Sequence, residues 1–81
     1  MHILIAEDDD VLADGLCRSM RHQGYAVDHV SDGQEADLIL RGAQPFDLVI
    51  LDLGLPRLDG FCVLRNLRER NCRVQVIILT A

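Results

Sequence analysis

Apolar and polar positions along this chain fall into two alternating rhythms. "HILIA" (His2–Ala6) is a short unbroken apolar run, as in a strand covered on both faces. It meets "EDDD" (Glu7–Asp10), after which Val11, Leu12, Leu16 and Met20 follow three- and four-residue spacing and mark a first helix. An aspartate among those acids supplies its N-cap, and Gly24 sits where the helix should stop. "YAVDHV" (Tyr25–Val30) is β-prone but partly polar, which suits an edge strand. Ser31-Asp32-Gly33 with Glu35 reads as a capping box for a second helix. Its apolar face is Ala36, Ile39, Leu40 and Ala43, and Gly42 and Pro45 close it. "FDLVIL" (Phe46–Leu51) is the most apolar strand and therefore central. The turn Asp52–Leu58 leads to a third helix, capped by Asp59, with Phe61, Leu64 and Leu67 inward and Asn71 at its end. "VQVIIL" (Val74–Leu79) is a fourth strand, followed by Thr80-Ala81.

The order β-α-β-α-β-α-β implies a parallel sheet with right-handed crossovers. Every strand then points its carboxyl end to the same edge, where α/β proteins bind ligands. Three polar features fall on that edge: Glu7-Asp8-Asp9 after the first strand, Asp52 after the third, and Thr80 after the fourth. Taken singly, each has a plain structural explanation. Acids after a strand cap helices, Asp52 can form a turn before Pro56, and a strand-end threonine is commonplace. It is their convergence that points to function.

Composition narrows the field. The 81 residues make one small domain, of a size that buries only about 60–65% of its unfolded surface. An apolar fraction of 49% fits a packed globular chain. The net charge of −5, with no dense basic patch, argues against nucleic-acid binding by this segment. Cys17, Cys62 and Cys72 lack metal-ligand spacing and read as reduced thiols. His2, His22 and His29 share no spacing that suggests a metal or a catalytic base. No basic leader and no membrane-length apolar run are present, so a cytoplasmic domain is expected.

Carboxylates gathered within a few ångströms repel one another and raise each other's pKa unless a cation lies between them. All-oxygen ligation with few carboxylates suits Mg2+ better than Ca2+. A carboxylate beside that ion can act as a nucleophile towards phosphorus, and a hydroxyl at Thr80 could then bind a phosphoryl oxygen.

"ILIAEDD", "DLVILDLGLPRLDGFCVLRNLR" and "VIILTA" together resemble the receiver domain of two-component response regulators across the whole chain. The Glu-Asp form of the acidic pair and the Asp-Leu-Gly-Leu-Pro turn are most similar to the winged-helix (OmpR/PhoB-type) transcriptional subfamily. The resemblance implies a flavodoxin-like (CheY-like) α/β three-layer sandwich with strand order 2-1-3-4. It implies that Asp52 accepts a phosphoryl group from a sensor histidine kinase or a small phosphodonor. It also implies Mg2+ ligation by Asp8, Asp52 and the Gly54 carbonyl, with Glu7 acting through water. Thr80 would be the switch hydroxyl, assisted by the Ala81 amide, and Asp9 is left as a cap. Such a domain is a self-phosphorylating switch at most, and not an enzyme.

The chain departs from the family in what it lacks. The family's domain continues with a fourth helix, a fifth strand and a fifth helix, and it carries a lysine that pairs with the phosphoryl group. No lysine occurs here. Residues 1–81 are therefore expected to be a partial receiver, with a DNA-binding effector domain elsewhere. A haloacid-dehalogenase-type phosphatase would need a second carboxylate where Gly54 stands. A nucleotide-binding module would need a glycine-rich turn in place of the four acids. An assembly unit without efficient phosphotransfer remains the alternative. The fourth strand is expected to be an apolar edge that pairs two copies into a homo-dimer.

Overall fold

The computed structural model describes residues 1–79. Its elements are β1 (His2–Ala6), α1 (Asp10–His22), β2 (Ala26–Val30), α2 (Gly33–Arg41), β3 (Leu48–Asp52), α3 (Gly60–Glu69) and β4 (Gln75–Leu79). The strands form one parallel sheet in the order β2-β1-β3-β4. The expected flavodoxin-like topology is therefore present, with β2 at one edge.

Strand alternation divides the core in two. Leu4, Ala6, Val49 and Leu51 face Ala36 of α2 and Val63 of α3. Ile3, Ile5 and Ile50 face Cys17 of α1, with Leu16 and Met20 packed alongside. β1 and β3 read as continuous apolar runs because both their faces are covered.

The helices begin where their caps dictate. Asp9 accepts the Val11 and Leu12 amides at 3.0 and 3.2 Å. Asp59 accepts the Cys62 amide at 2.9 Å. Asp32 accepts the Glu35 amide at 2.8 Å, and Glu35 reaches back to the Ser31 amide at 3.2 Å. The capping box is thus reciprocal, but its return bond lands one residue before the cap. Gly24 (φ 92°) and Asn71 (φ 61°) take the left-handed conformation just past helix ends.

Four expected core positions are corrected. Val11 (84% exposed) and Leu12 face outward because α1 seats its small residues, Ala13 and Cys17, on the sheet. Phe61 is 67% exposed, whereas Val63 and Leu67 are buried. Gly60 sets that rotation: a Cβ there would lie 2.4 Å from the Asp52 carbonyl oxygen, so α3 packs by its glycine against the end of β3. Ala43 lies beyond the end of α2 and is exposed.

Candidate functional site

The carboxyl ends of β1 and β3 meet because Ala6 pairs with Leu51 in register. One residue further along each strand stand Glu7 and Asp52. Glu7, Asp8 and Asp52 each offer a carboxylate oxygen, and these three atoms lie within 4.8 Å of one another. They line an open cleft of about 690 Å³, shared with Gly54, Leu12 and Leu79.

Each member of the group is held differently. Glu7 is 4% exposed. Its amide donates to the Val30 carbonyl at 3.1 Å, and its own carboxylate accepts the Asp9 amide at 3.0 Å. Asp8 is exposed at the mouth of the cleft. Half-buried Asp52 accepts the Gly54 amide on Oδ1 at 3.0 Å, which orients the carboxylate at the head of the β3–α3 loop.

Burial pushes the Glu7 carboxyl above its ordinary value of 4.5. The Asp9 amide pulls it back, while the Asp52 and Asp8 carboxylates add to the rise. The ion pairs among the described residues lie elsewhere, on Asp14, Asp28, Asp32 and Asp37. An all-oxygen donor set whose mutual repulsion is not relieved by any arginine fits a hard divalent cation.

Thr80 and Ala81, the expected switch hydroxyl and its neighbouring amide, lie outside the described residues. Two supporting residues were not anticipated from the sequence. The His29 ring Nε2 donates to the Glu7 carbonyl at 2.8 Å, bracing the acidic pair from β2. Only the β1–β2 register could have pointed to it, since no His–Glu spacing along the chain does. Buried Asp37 of α2 pairs with Arg41 on its own helix at 2.6 Å and ties α2 to α3 through Asn66 at 3.3 Å and Arg70, at the end of α3, at 3.6 Å.

A parallel 2-1-3-4 sheet with an acidic cleft at its carboxyl edge is the arrangement of a receiver domain. The chain belongs to the response regulator receiver domain family, which it matches over residues 3–81. It is 46% identical over all 81 residues to transcriptional regulatory protein PmrA of Pectobacterium parmentieri, and 42% identical to transcriptional regulatory protein BasR of Escherichia coli K12. These are OmpR/PhoB-type regulators. The chain spans 36% of the length of each. Among solved structures, the receiver domain of the Francisella response regulator 1452 superposes with a TM-score of 0.93 at 31% identity. That match covers 99% of this chain and 65% of the other. The receiver domain of a sensor histidine kinase from Pseudomonas aeruginosa, described with a magnesium ion coordinated in its active-site cleft, gives 0.91 at 36% identity. There the match covers 99% of this chain and 66% of the other. No described helix is long and apolar enough to cross a membrane.

Proposed function

We propose that Asp52 is the phospho-acceptor of a cytoplasmic transcriptional response regulator, and that residues 1–81 are part of its receiver. The observation that carries this reading is the gathering of the Glu7, Asp8 and Asp52 carboxylates within 4.8 Å at one sheet edge. Asp8, Asp52 and the Gly54 carbonyl would hold Mg2+ directly, with Glu7 acting through water. Bound there, the ion neutralises charge that would otherwise repel an incoming phosphoryl group. Asp52 then attacks the phosphorus of a phosphohistidine on a sensor kinase. An O–P bond forms as the N–P bond breaks, and the departing imidazole takes up a proton. Thr80 would hold a phosphoryl oxygen once the group has arrived.

In the whole protein the phosphorylated receiver would govern a DNA-binding domain outside this chain. The net charge of −5 supports that division of labour, since an acidic segment is poorly suited to neutralise DNA phosphates. Two copies are proposed to pair along the exposed β4 edge. A second reading concerns residues 1–81 taken by themselves: with no lysine among them to neutralise the phosphoryl group, they would act as an assembly unit with inefficient phosphotransfer.

Mass measurement after treatment with acetyl phosphate and Mg2+ separates the two. A gain of one phosphate that disappears in Asp52→Asn supports the acceptor role. A gain that persists in that variant assigns the group elsewhere, and no gain in the parent favours the assembly unit.

A further inference from the structure

The β3–α3 loop, residues 53–59, is held at three places, and one of them lies on a turn that has no part in the acidic cleft. At its base the Gly60 amide donates to the Leu53 carbonyl at 3.0 Å. In its middle Leu55 is buried among Leu4, Ala36 and Val63. At its far side the Gly33 amide, at the start of α2, donates to the Pro56 carbonyl at 3.0 Å. A Cβ on Gly33 would sit 1.5 Å from the Leu58 carbonyl oxygen, so only glycine lets turn and loop touch. Asp32 works on both elements, with Oδ1 capping α2 at Glu35 and Oδ2 meeting Arg57 Nε at 3.3 Å. Arg57 is held at φ 71°, a conformation costly for any residue with a Cβ.

We propose that Asp32 and Gly33 form a latch that fixes the β3–α3 loop and thereby positions Asp52 and Gly54; this rests on the metal-site reading above. Gly54 lies between the loop's first two anchors, and its amide orients Asp52 Oδ1. Movement of Pro56–Leu58 is transmitted to it through two to four peptide units and the Leu55 anchor. Arg57 is 67% exposed, so the ion pair contributes little to stability by itself. A strained, exposed residue kept in place for so little stabilisation is accounted for by where it puts the loop. Asp32, Gly33 and Arg57 are positioning residues, remote from the reacting atoms.

The test uses the 81-residue chain with Arg57→Gly and Gly33→Ala, followed by thermal melting, backbone amide shifts and Mg2+ titration. Arg57→Gly relieves the left-handed strain while removing the ion-pair half of the latch and leaving the Gly33–Pro56 hydrogen bond. Its melt is expected to stay at or above the parent's while the Gly54 amide shift moves and Mg2+ binding weakens. Gly33→Ala should weaken binding more, on the order of tenfold, as supporting residues of metal sites do. A purely structural role would move the melts and leave the affinity alone. Folded variants that keep the parent's Gly54 shift and bind Mg2+ within about twofold of it overturn the latch. Should Gly33→Ala fail to fold, Arg57→Gly decides alone. A parent that ignores Mg2+ sinks the metal-site reading, while the metal-free Gly54 shift still decides the latch.

Discussion

β3 and β4 are neighbours of equal length, paired in register, and solvent treats them quite differently. Ile50 is 5% exposed and its register partner Ile77 is 50% exposed. Leu51 is 1% exposed and its partner Ile78 is 37% exposed. The residue types are nearly the same, so the cause is cover. α1 lies over Ile3, Ile5 and Ile50, and α2 with α3 lies over Leu4, Val49 and Leu51. On β4 only Val76 and Leu79 pack against these clusters, and both are only partly buried. The strand that ends in the proposed acceptor is the enclosed one. Enclosure holds Asp52 and Glu7 in fixed geometry, whereas the described residues leave β4 half-open.

The largest expected effect tests that contrast directly. Ile50→Ala removes a buried side chain of β3 packed in the cluster beneath α1 and should cost about 2–5 kcal/mol, enough to unfold much of so small a domain. Ile77→Ala, one strand away, should cost well under about 1 kcal/mol. Urea melts of the two variants check it, and equal losses would mean that β4 is as well covered as β3.

How much of this was legible in the sequence follows the same divide. Local signals are written into the chain: the caps at Asp9, Asp32 and Asp59 and the stops at Gly24 and Asn71 all stand where the residues placed them. So does the strand order, because β-α-β alternation leaves little choice of topology. The meeting of Glu7, Asp8 and Asp52 came with it, since it needs only strand ends on one edge. Helix rotation did not come with it. Phe61 fits an inward helical stripe by spacing, but the contact of Gly60 with the β3 backbone turns it out. The open edge at β4 was expected from its apolar run; which of its residues stay tucked in was not. The brace from His29 and the Gly33 contact depend on tertiary neighbours that no local pattern encodes.

A smaller effect sharpens the enclosed side. Glu7 is buried beside two other carboxylates, and its carboxyl titrates above 4.5 in the folded chain. Without metal, the folded state therefore binds this proton more tightly than the unfolded state does. The resulting loss of stability begins as pH rises through 4.5 and is complete once the folded group has ionised. Glu7→Gln should remove that loss, so that the variant is more stable than the parent at neutral pH in chelator and matches it well below pH 4.5. Adding Mg2+ should stabilise the parent and narrow the gap. Melts across pH that show the parent gaining stability from Glu7 ionisation would contradict the crowding of carboxylates at the end of β1.

The smallest change in stability belongs to the exposed side. Ile77→Lys places a charge on a half-exposed edge-strand position, where it displaces little buried surface, and it should alter the melt by no more than about 0.5 kcal/mol in the monomer. Its effect on association should be far greater. Pairing of two β4 edges about a two-fold axis would bring each Ile77 close to the other copy, and a lysine there puts like charges together in an interface that has to shed water. The parent is then expected to sediment as a dimer at micromolar concentration and Ile77→Lys as a folded monomer. A parent that sediments as a monomer overturns the pairing outright. A variant that remains dimeric moves the contact away from this face of β4. In that case the exposure of Ile77 and Ile78, at 50% and 37%, is left to some other partner, and the difference between the two strands no longer bears on self-association.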